Sequence, residues 1–154
     1  MANNEAQFRV EIIASARKWG QTHAISINDQ FLIGRPDVYI ANNGSSLWLE
    51  LKYLHFVNPL TTYKVFMSPA QRSFLKAEQA AGCMAGWVLC VKINNIDGRK
   101  GWQIFAGANS DAEHATMEDF VEMKMQGEAL DWNIAKISYR ISKEQYGYPK
   151  RRSH

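Results

Sequence analysis

The spacing of apolar residues along this chain changes several times, and each change predicts a new helix or strand. In residues 5–19 apolar side chains recur every three or four positions, which is the spacing of one helix face. Later segments are short apolar or alternating runs bounded by glycine, asparagine and proline, which is typical of strands. The predicted order is helix 5–19, strands 23–27, 36–40 and 47–53, helix 69–81, strands 85–93 and 102–105, helix 116–126, and strand 134–141.

Polar residues stand at unusual places on two neighbouring predicted strands. Asp37 opens one strand, and Glu50 and Lys52 lie two positions apart on the next, after a turn at 42–46. A period of two puts Glu50 and Lys52 on one face of that strand and its leucines on the other. Carboxylates are hard ligands suited to Mg²⁺, and a nearby lysine can position a water or a phosphate. This strand pair is therefore the main candidate for chemistry.

The helix predicted over 69–81 has a strong start signal. Ser68 is a favoured N-cap, Pro69 suits the first helical position, and Gly82 follows the last helical residue. Gln71 lies in the first turn, where it could hydrogen-bond the strand lysine or a phosphate. A partly exposed polar residue with no such role is an equally good interpretation.

The first helix carries a glutamate within its apolar arc. Glu5 points in nearly the same direction as Phe8 and Ile12, whereas Glu11 points about 120° away from Glu5. A carboxylate on a buried side requires a partner, which favours a role for Glu5 at a site. The alternative is a frayed first turn in which Glu5 is solvated and benefits only from the helix dipole.

Length and composition restrict the class of protein. The chain has 154 residues, 46% of them hydrophobic and 21% charged, which indicates one globular domain over 1–154. No apolar run reaches the ~18–20 residues of a membrane span, and residues 1–5 lack the apolar core of a signal peptide. Cys83 and Cys90 are too few for a disulfide framework or a four-cysteine zinc site. Reduced thiols and a cytoplasmic location are therefore expected.

Charge is distributed unevenly along the chain. Residues 1–110 hold eleven Lys/Arg and seven Asp/Glu, residues 111–131 hold one against seven, and residues 132–154 hold six against one. A polyanion could contact the two basic blocks while the acidic block faces away. Ordinary solvated surface charge accounts for this distribution equally well.

The motif of the strand pair resembles that of the PD-(D/E)XK nucleases. It consists of Pro36-Asp37, twelve intervening residues, and Glu50-Leu51-Lys52. The element order over about residues 5–93 resembles the αβββαβ core of that superfamily, and the segment that begins Ser68-Pro69 resembles VRR-NUC and resolvase-like members. The resemblance implies an α/β, restriction-endonuclease-like fold with a mixed central sheet, and residues 94–154 would be C-terminal additions.

The resemblance also implies a function. A Mg²⁺-dependent endodeoxyribonuclease would hydrolyse phosphodiester bonds, and Mn²⁺ is expected to substitute for Mg²⁺. Asp37, Glu50 and the Leu51 carbonyl would hold the metal, and Glu5 would complete its shell. Lys52 would position and help deprotonate the attacking water. The catalytic set implied by the resemblance is Glu5, Asp37, Glu50, Lys52 and Gln71.

The small size resembles phage and archaeal Holliday-junction resolvases, which would make branched or duplex DNA the partner and the host cytoplasm the location of a phage-encoded enzyme. A homodimer and the role of residues 94–154 are left open. His55 has no second histidine at ligand spacing, so a metal role for it is disfavoured. The residues expected to contact DNA are Arg35, His55, Tyr63, Lys64 and Arg72.

Two alternatives belong to other functional classes. The same fold could serve as a nucleic-acid-binding module that does not cleave, although degraded motif residues would then be expected. An unrelated α/β interaction protein could contain the motif by chance, with Lys52 simply pairing with Glu50 or Asp37. The sequence does not distinguish junction, duplex, single-stranded or RNA substrates.

Overall fold

The computed structural model describes residues 2–19, 22–27, 34–42, 45–128 and 131–147. They form three helices and eight strands, and a 3₁₀ turn (Met117–Asp119) precedes the last strand. The elements are α1 (Glu5–Lys18), β1 (Thr22–Ser26), β2 (Val38–Asn42), β3 (Ser45–Phe56), β4 (Tyr63–Lys64), α2 (Pro69–Ala80), β5 (Met84–Ile96), β6 (Arg99–Gly107), β7 (His114–Ala115), β8 (Phe120–Met125) and α3 (Ile134–Tyr146).

Six strands form one mixed sheet in the order β1-β2-β3-β5-β6-β8. The β3–β5 pair is parallel and the other neighbours are antiparallel. A parallel pair needs a crossover, and α2 provides it. The predicted α/β, restriction-endonuclease-like fold class is confirmed, with β6, β8 and α3 as the C-terminal additions. No helix in the described part of the chain is both long and apolar enough to cross a membrane.

The sheet separates two apolar cores because side chains alternate between its faces. Leu49 and Leu51 of β3 lie in the core beneath α1 and α3, together with Phe8 and Ile137. Trp48 lies in the opposite core, beneath α2. The even-numbered residues of β3, including Glu50 and Lys52, therefore face α2, and the predicted alternation is confirmed.

The two helices of the predicted core form where the sequence places them. Asn4 caps α1, and its side chain accepts a hydrogen bond from the N–H of Gln7 at 2.8 Å. Ser68 caps α2 as predicted, with Pro69 as the first helical residue. The sequence predicts that Gly20 ends the first helix and that residues 28–33 connect two strands. Gly20, residues 28–33 and residues 43–44 of the predicted turn lie outside the described residues.

Two predictions for the C-terminal region were wrong. The predicted helix over 116–126 is a 3₁₀ turn followed by β8, because the free edge of β6 offers these residues a hydrogen-bonded partner strand. The predicted strand over 134–141 belongs to α3. Ile134, Ile137 and Ile141 follow helical spacing and are all buried, whereas Tyr139, which an alternating strand would bury, is 57% exposed.

Candidate active site

The site begins where the β2–β3 ladder stops. Towards its N-terminal end, β2 pairs with β3 only as far as Val38, whose partner is Leu49. Asp37 precedes Val38, and its Oδ2 accepts a hydrogen bond from the Leu51 N–H at 2.9 Å. This bond fixes the Asp37 carboxylate against β3 at Leu51, the residue between Glu50 and Lys52.

Pro36 explains why the ladder stops there. Continuing the β2–β3 register would place Leu51 opposite Pro36, and a proline has no N–H to donate. The N–H and C=O of a strand residue point to the same side, so the Leu51 carbonyl faces the Asp37 side of β3. The Leu51 carbonyl oxygen and the Asp37 carboxylate thus lie on the same side of β3.

Glu50, Lys52 and Gln71 form one polar network on the α2 face of the sheet. Glu50 is 2% exposed, and its Oε2 accepts a hydrogen bond from Gln71 Nε2 at 3.1 Å. The Lys52 ammonium lies 3.3 Å from the same Oε2 and donates to Gln71 Oε1 at 3.1 Å. The predicted contact of Gln71 with the strand lysine is therefore present.

Gln71 is held in place by the helix cap. Its Oε1 also accepts the Ser68 N–H at 2.8 Å, and its own N–H donates to Ser68 Oγ at 3.1 Å. This reciprocal capping box holds the Gln71 side chain in the orientation in which it contacts Lys52 and Glu50. The same local signal that starts α2 therefore positions a residue of the site.

The Glu50 carboxyl group is in an unfavourable environment for its charged form. Burial, and then the nearby negative charge of Asp37, raise the pKa of Glu50 to about 8, although Lys52 opposes the shift. Its Oε1 is buried and accepts no hydrogen bond from a donor among the described residues, and the Asp37 carboxylate lies within hydrogen-bonding reach of the Glu50 carboxyl group. A buried acceptor without a donor, next to a second carboxylate, is the arrangement that a bound cation would stabilise.

Glu5 lies in the first turn of α1, on the opposite side of the sheet from α2, and its metal role stays a prediction. Its side chain is exposed. Partial burial, and then the charge of Asp37, raise the pKa of Glu5, whereas Lys52 and Arg9 lower it. Glu5 is thus close enough to interact electrostatically with Asp37 and Lys52.

The donors present suit Mg²⁺ better than a metal that requires an all-protein shell. Among the described residues, no three His, Cys, Asp or Glu side chains are grouped closely enough to hold a metal ion. Mg²⁺ commonly binds through one or two carboxylates and retains waters or substrate phosphate oxygens. Asp37 and Glu50 with the Leu51 carbonyl fit that requirement, with Glu5 available through water.

Two of the residues expected to contact DNA have contacts within the protein. Tyr63 is 2% exposed, and its hydroxyl donates to Gln103 Oε1 at 3.0 Å, so its assignment to DNA contact is corrected. Arg72 is half-buried, and its guanidinium is bound to backbone carbonyls. These are the carbonyls of Met67, Ser110 and Ala112, at 3.3, 2.9 and 2.8 Å. Contact of Arg72 with DNA stays a prediction.

The other three expected DNA contacts lie near the surface. His55 and Lys64 are exposed. Arg35 is half-buried, and its guanidinium lies 5.5 Å from the centre of the Trp48 ring. Direct interaction of these residues with DNA stays a prediction.

Glu11 is less exposed than its angular position on the helix predicted. It is half-buried, and its Oε1 accepts a hydrogen bond from Trp132 Nε1 at 3.0 Å. Trp132 lies far away in sequence, so the pattern of α1 alone gave no signal of this contact. Glu11 thus has a structural partner outside the candidate site.

Comparison with known proteins finds similarity among solved structures. No family model matches the chain, and no curated protein matches it. Among solved structures, Hjc, a Holliday junction resolvase from the archaeal hyperthermophile Archaeoglobus fulgidus, is similar at 18% identity and a TM-score of 0.42. The match covers 64% of this chain and 72% of that chain. The assignment of the site therefore depends on the contacts described above.

Proposed function

We propose that this protein is a metal-dependent nuclease that hydrolyses phosphodiester bonds in DNA. The observation that supports it most is the buried Glu50 carboxylate, which has an unpartnered Oε1, a bond to Gln71 and an ion pair with Lys52. A purely structural Glu–Lys pair would use both carboxylate oxygens, because an unpaired buried acceptor costs about 1–3 kcal/mol.

The residues have separate roles in this proposal. Asp37, Glu50 and the Leu51 carbonyl would hold a divalent cation, and Glu5 would contribute through water. When bound, the cation would supply Lewis acidity at the scissile phosphate and lower the pKa of a water.

Lys52 would hold the attacking water or a phosphate oxygen, and its ammonium, 3.3 Å from Glu50 Oε2, supports this role. Gln71 keeps that ammonium oriented through a 3.1 Å bond. Because the network is formed before substrate binds, little reorganisation is needed when charge develops on the phosphate.

Incubation of the purified chain with Mg²⁺ and labelled four-way junction, flap, nicked, duplex and single-stranded DNAs tests this proposal. We expect cleavage that EDTA abolishes and that Mn²⁺ also supports. Asp37→Asn and Glu50→Gln should each reduce cleavage by at least about a thousandfold, because each removes a hard anionic ligand at nearly constant volume.

Metal binding provides a readout that does not depend on activity. Calorimetric titration of Mg²⁺ or Mn²⁺ should show binding to the wild-type protein and loss of binding in both variants. Asp111→Asn is the matched control, because Asp111 is exposed and pairs with Lys76 away from the site. Cleavage by Asp37→Asn or Glu50→Gln at the wild-type rate would refute the assignment.

A further inference from the structure

Residues 63–68, which run from β4 to the N-cap of α2, form an amphipathic segment that leads to the candidate active site. Alternate residues over positions 63–68 are buried and exposed, so three side chains form a row that faces solvent. The inward side chains are those of Tyr63, Val65 and Met67, and the outward row is Lys64, Phe66 and Ser68.

Phe66 stands in the middle of this row with its ring uncovered. It is 59% exposed, and the Lys64 ammonium lies 5.6 Å from its ring centre. His114 is paired directly opposite Lys64 in the β4–β7 ladder and is exposed on the same face. An aromatic face beside basic side chains is the combination that binds a nucleobase together with its phosphate.

The row is continuous with the candidate catalytic network. Ser68 is the N-cap that holds Gln71, and Gln71 holds Lys52 and Glu50. Phe66 precedes Ser68 by two positions, which is about 7 Å along an extended chain.

We propose that Phe66 stacks on an unpaired base of the DNA strand that enters the candidate site, with Lys64 on the adjoining phosphate. Bases in the interior of a duplex have both faces covered by their neighbours, so a continuous duplex offers no base face to the ring away from its ends. The substrate class would then be DNA with unpaired bases near the cut, such as single strands and flaps. This inference rests on the proposed nuclease function and extends it to substrate choice.

Binding without cleavage gives the first test. In EDTA, a short single-stranded oligonucleotide that contains a fluorescent adenine analogue should bind with quenching of the base. Phe66→Ala should weaken binding of this oligonucleotide at least about fivefold and remove the quenching, because each stacked base contributes at least that much. Its effect on a fully paired duplex of the same sequence should stay below twofold, and Phe66→Trp should restore both signals.

Val57→Ala is the matched control, because Val57 is 63% exposed but lies outside the row. It should leave binding and quenching unchanged. Equal weakening on single strand and duplex by Phe66→Ala, or no weakening at all, would overturn the inference. Loss of a wild-type dimer in Phe66→Ala, measured by light scattering, would also overturn it, because Phe66 would then be a contact between copies.

The cleavage assay separates this inference from the proposed function. If the wild-type protein cleaves DNA, Phe66→Ala should lower the ratio of single-strand to duplex kcat/KM at least about fivefold. An unchanged ratio refutes the stacking role and leaves the nuclease proposal intact. Phe66-dependent quenching in a protein that cleaves none of the DNAs supports the stacking role and refutes the nuclease proposal.

Discussion

On the α2 side of the candidate site, the Gln71 side chain makes three hydrogen bonds, to Ser68, Lys52 and Glu50. On the α1 side, Glu5 is exposed and interacts with the site through the charges of Asp37 and Lys52. Hydrogen bonds within the protein therefore hold the α2 residue, Gln71, in position before any ligand binds. The α1 residue, Glu5, is an exposed carboxylate whose position can still adjust.

This difference implies a hierarchy among the site residues. A tethered group cannot be replaced by a small movement of its neighbours, so its removal should be costly. A rim carboxylate that acts across water can be partly replaced by solvent. The following predictions test that hierarchy, from the largest expected effect to the smallest.

Lys52→Ala should reduce turnover by about 10²–10⁴-fold, the range expected for loss of a group that assists proton transfer or charge stabilisation. DNA affinity should change far less, since Lys52 would be one phosphate contact among several. Measurement of kcat together with binding in EDTA checks this. Lys76→Ala, which alters an exposed lysine paired with Asp111, should leave both values unchanged. Equal losses of affinity and turnover for Lys52→Ala would mean that Lys52 only clamps a phosphate.

Glu50 should make the metal-free protein less stable as pH rises. Its pKa is about 8 in the folded protein against an ordinary value of 4.5, so the folded state holds a proton that the unfolded state releases. The contribution of the Glu50 proton to the unfolding free energy is fully present below pH ~4.5, and it is lost as the pH rises through ~8.

Denaturant titrations in EDTA at pH ~5.5 and ~8.5 should show a loss of about 2 kcal/mol or more in the unfolding free energy of the wild type, since one pKa unit corresponds to about 1.4 kcal/mol. Glu50→Gln cannot ionise and should show a much smaller slope. Parallel slopes in the two proteins would contradict the shifted pKa.

Gln71→Ala should reduce cleavage by roughly 10- to 100-fold, equivalent to about 1.4–2.7 kcal/mol of transition-state stabilisation. Gln79→Ala is the matched control in the same helix. The Gln79 Nε2 donates to the carbonyls of Ala85 and Ala108 at 2.8 and 2.6 Å, away from the site.

Both glutamine variants should lose about 1 kcal/mol of stability for their missing hydrogen bonds. Only Gln71→Ala should lose cleavage measured well below its melting temperature. Comparable cleavage in the two variants would mean that Gln71 serves only as a cap.

Glu5→Gln should reduce cleavage about tenfold, or ~1.4 kcal/mol, and weaken its dependence on metal concentration. Glu11→Gln should change cleavage less than twofold, because a glutamine can still accept the Trp132 hydrogen bond and lies outside the site. Initial rates over a Mg²⁺ series compare the two variants. The reverse order would transfer the metal role from Glu5 to Glu11.

Local signals determined most of the candidate site. The period-two alternation in β3 was enough to put Glu50 and Lys52 on one face, because strand geometry fixes the side of every side chain. Pro36 marked the end of the β2 ladder, and Ser68 with Gln71 marked the start of α2. Each of these features depends on residues within a few positions of one another.

Contacts distant in sequence decided the rest. The β8 segment contains good helix formers, but the open edge of β6 offered it a strand partner. Ile134, Ile137 and Ile141 stabilise a helix because an apolar core lies beneath them. The burial of Tyr63 and the raised pKa of Glu50 likewise depend on neighbours from other elements. The sequence alone determined which residues could do chemistry, whereas the tertiary structure decided which of them are buried, paired and charged, because burial and charge are set by everything packed around a side chain.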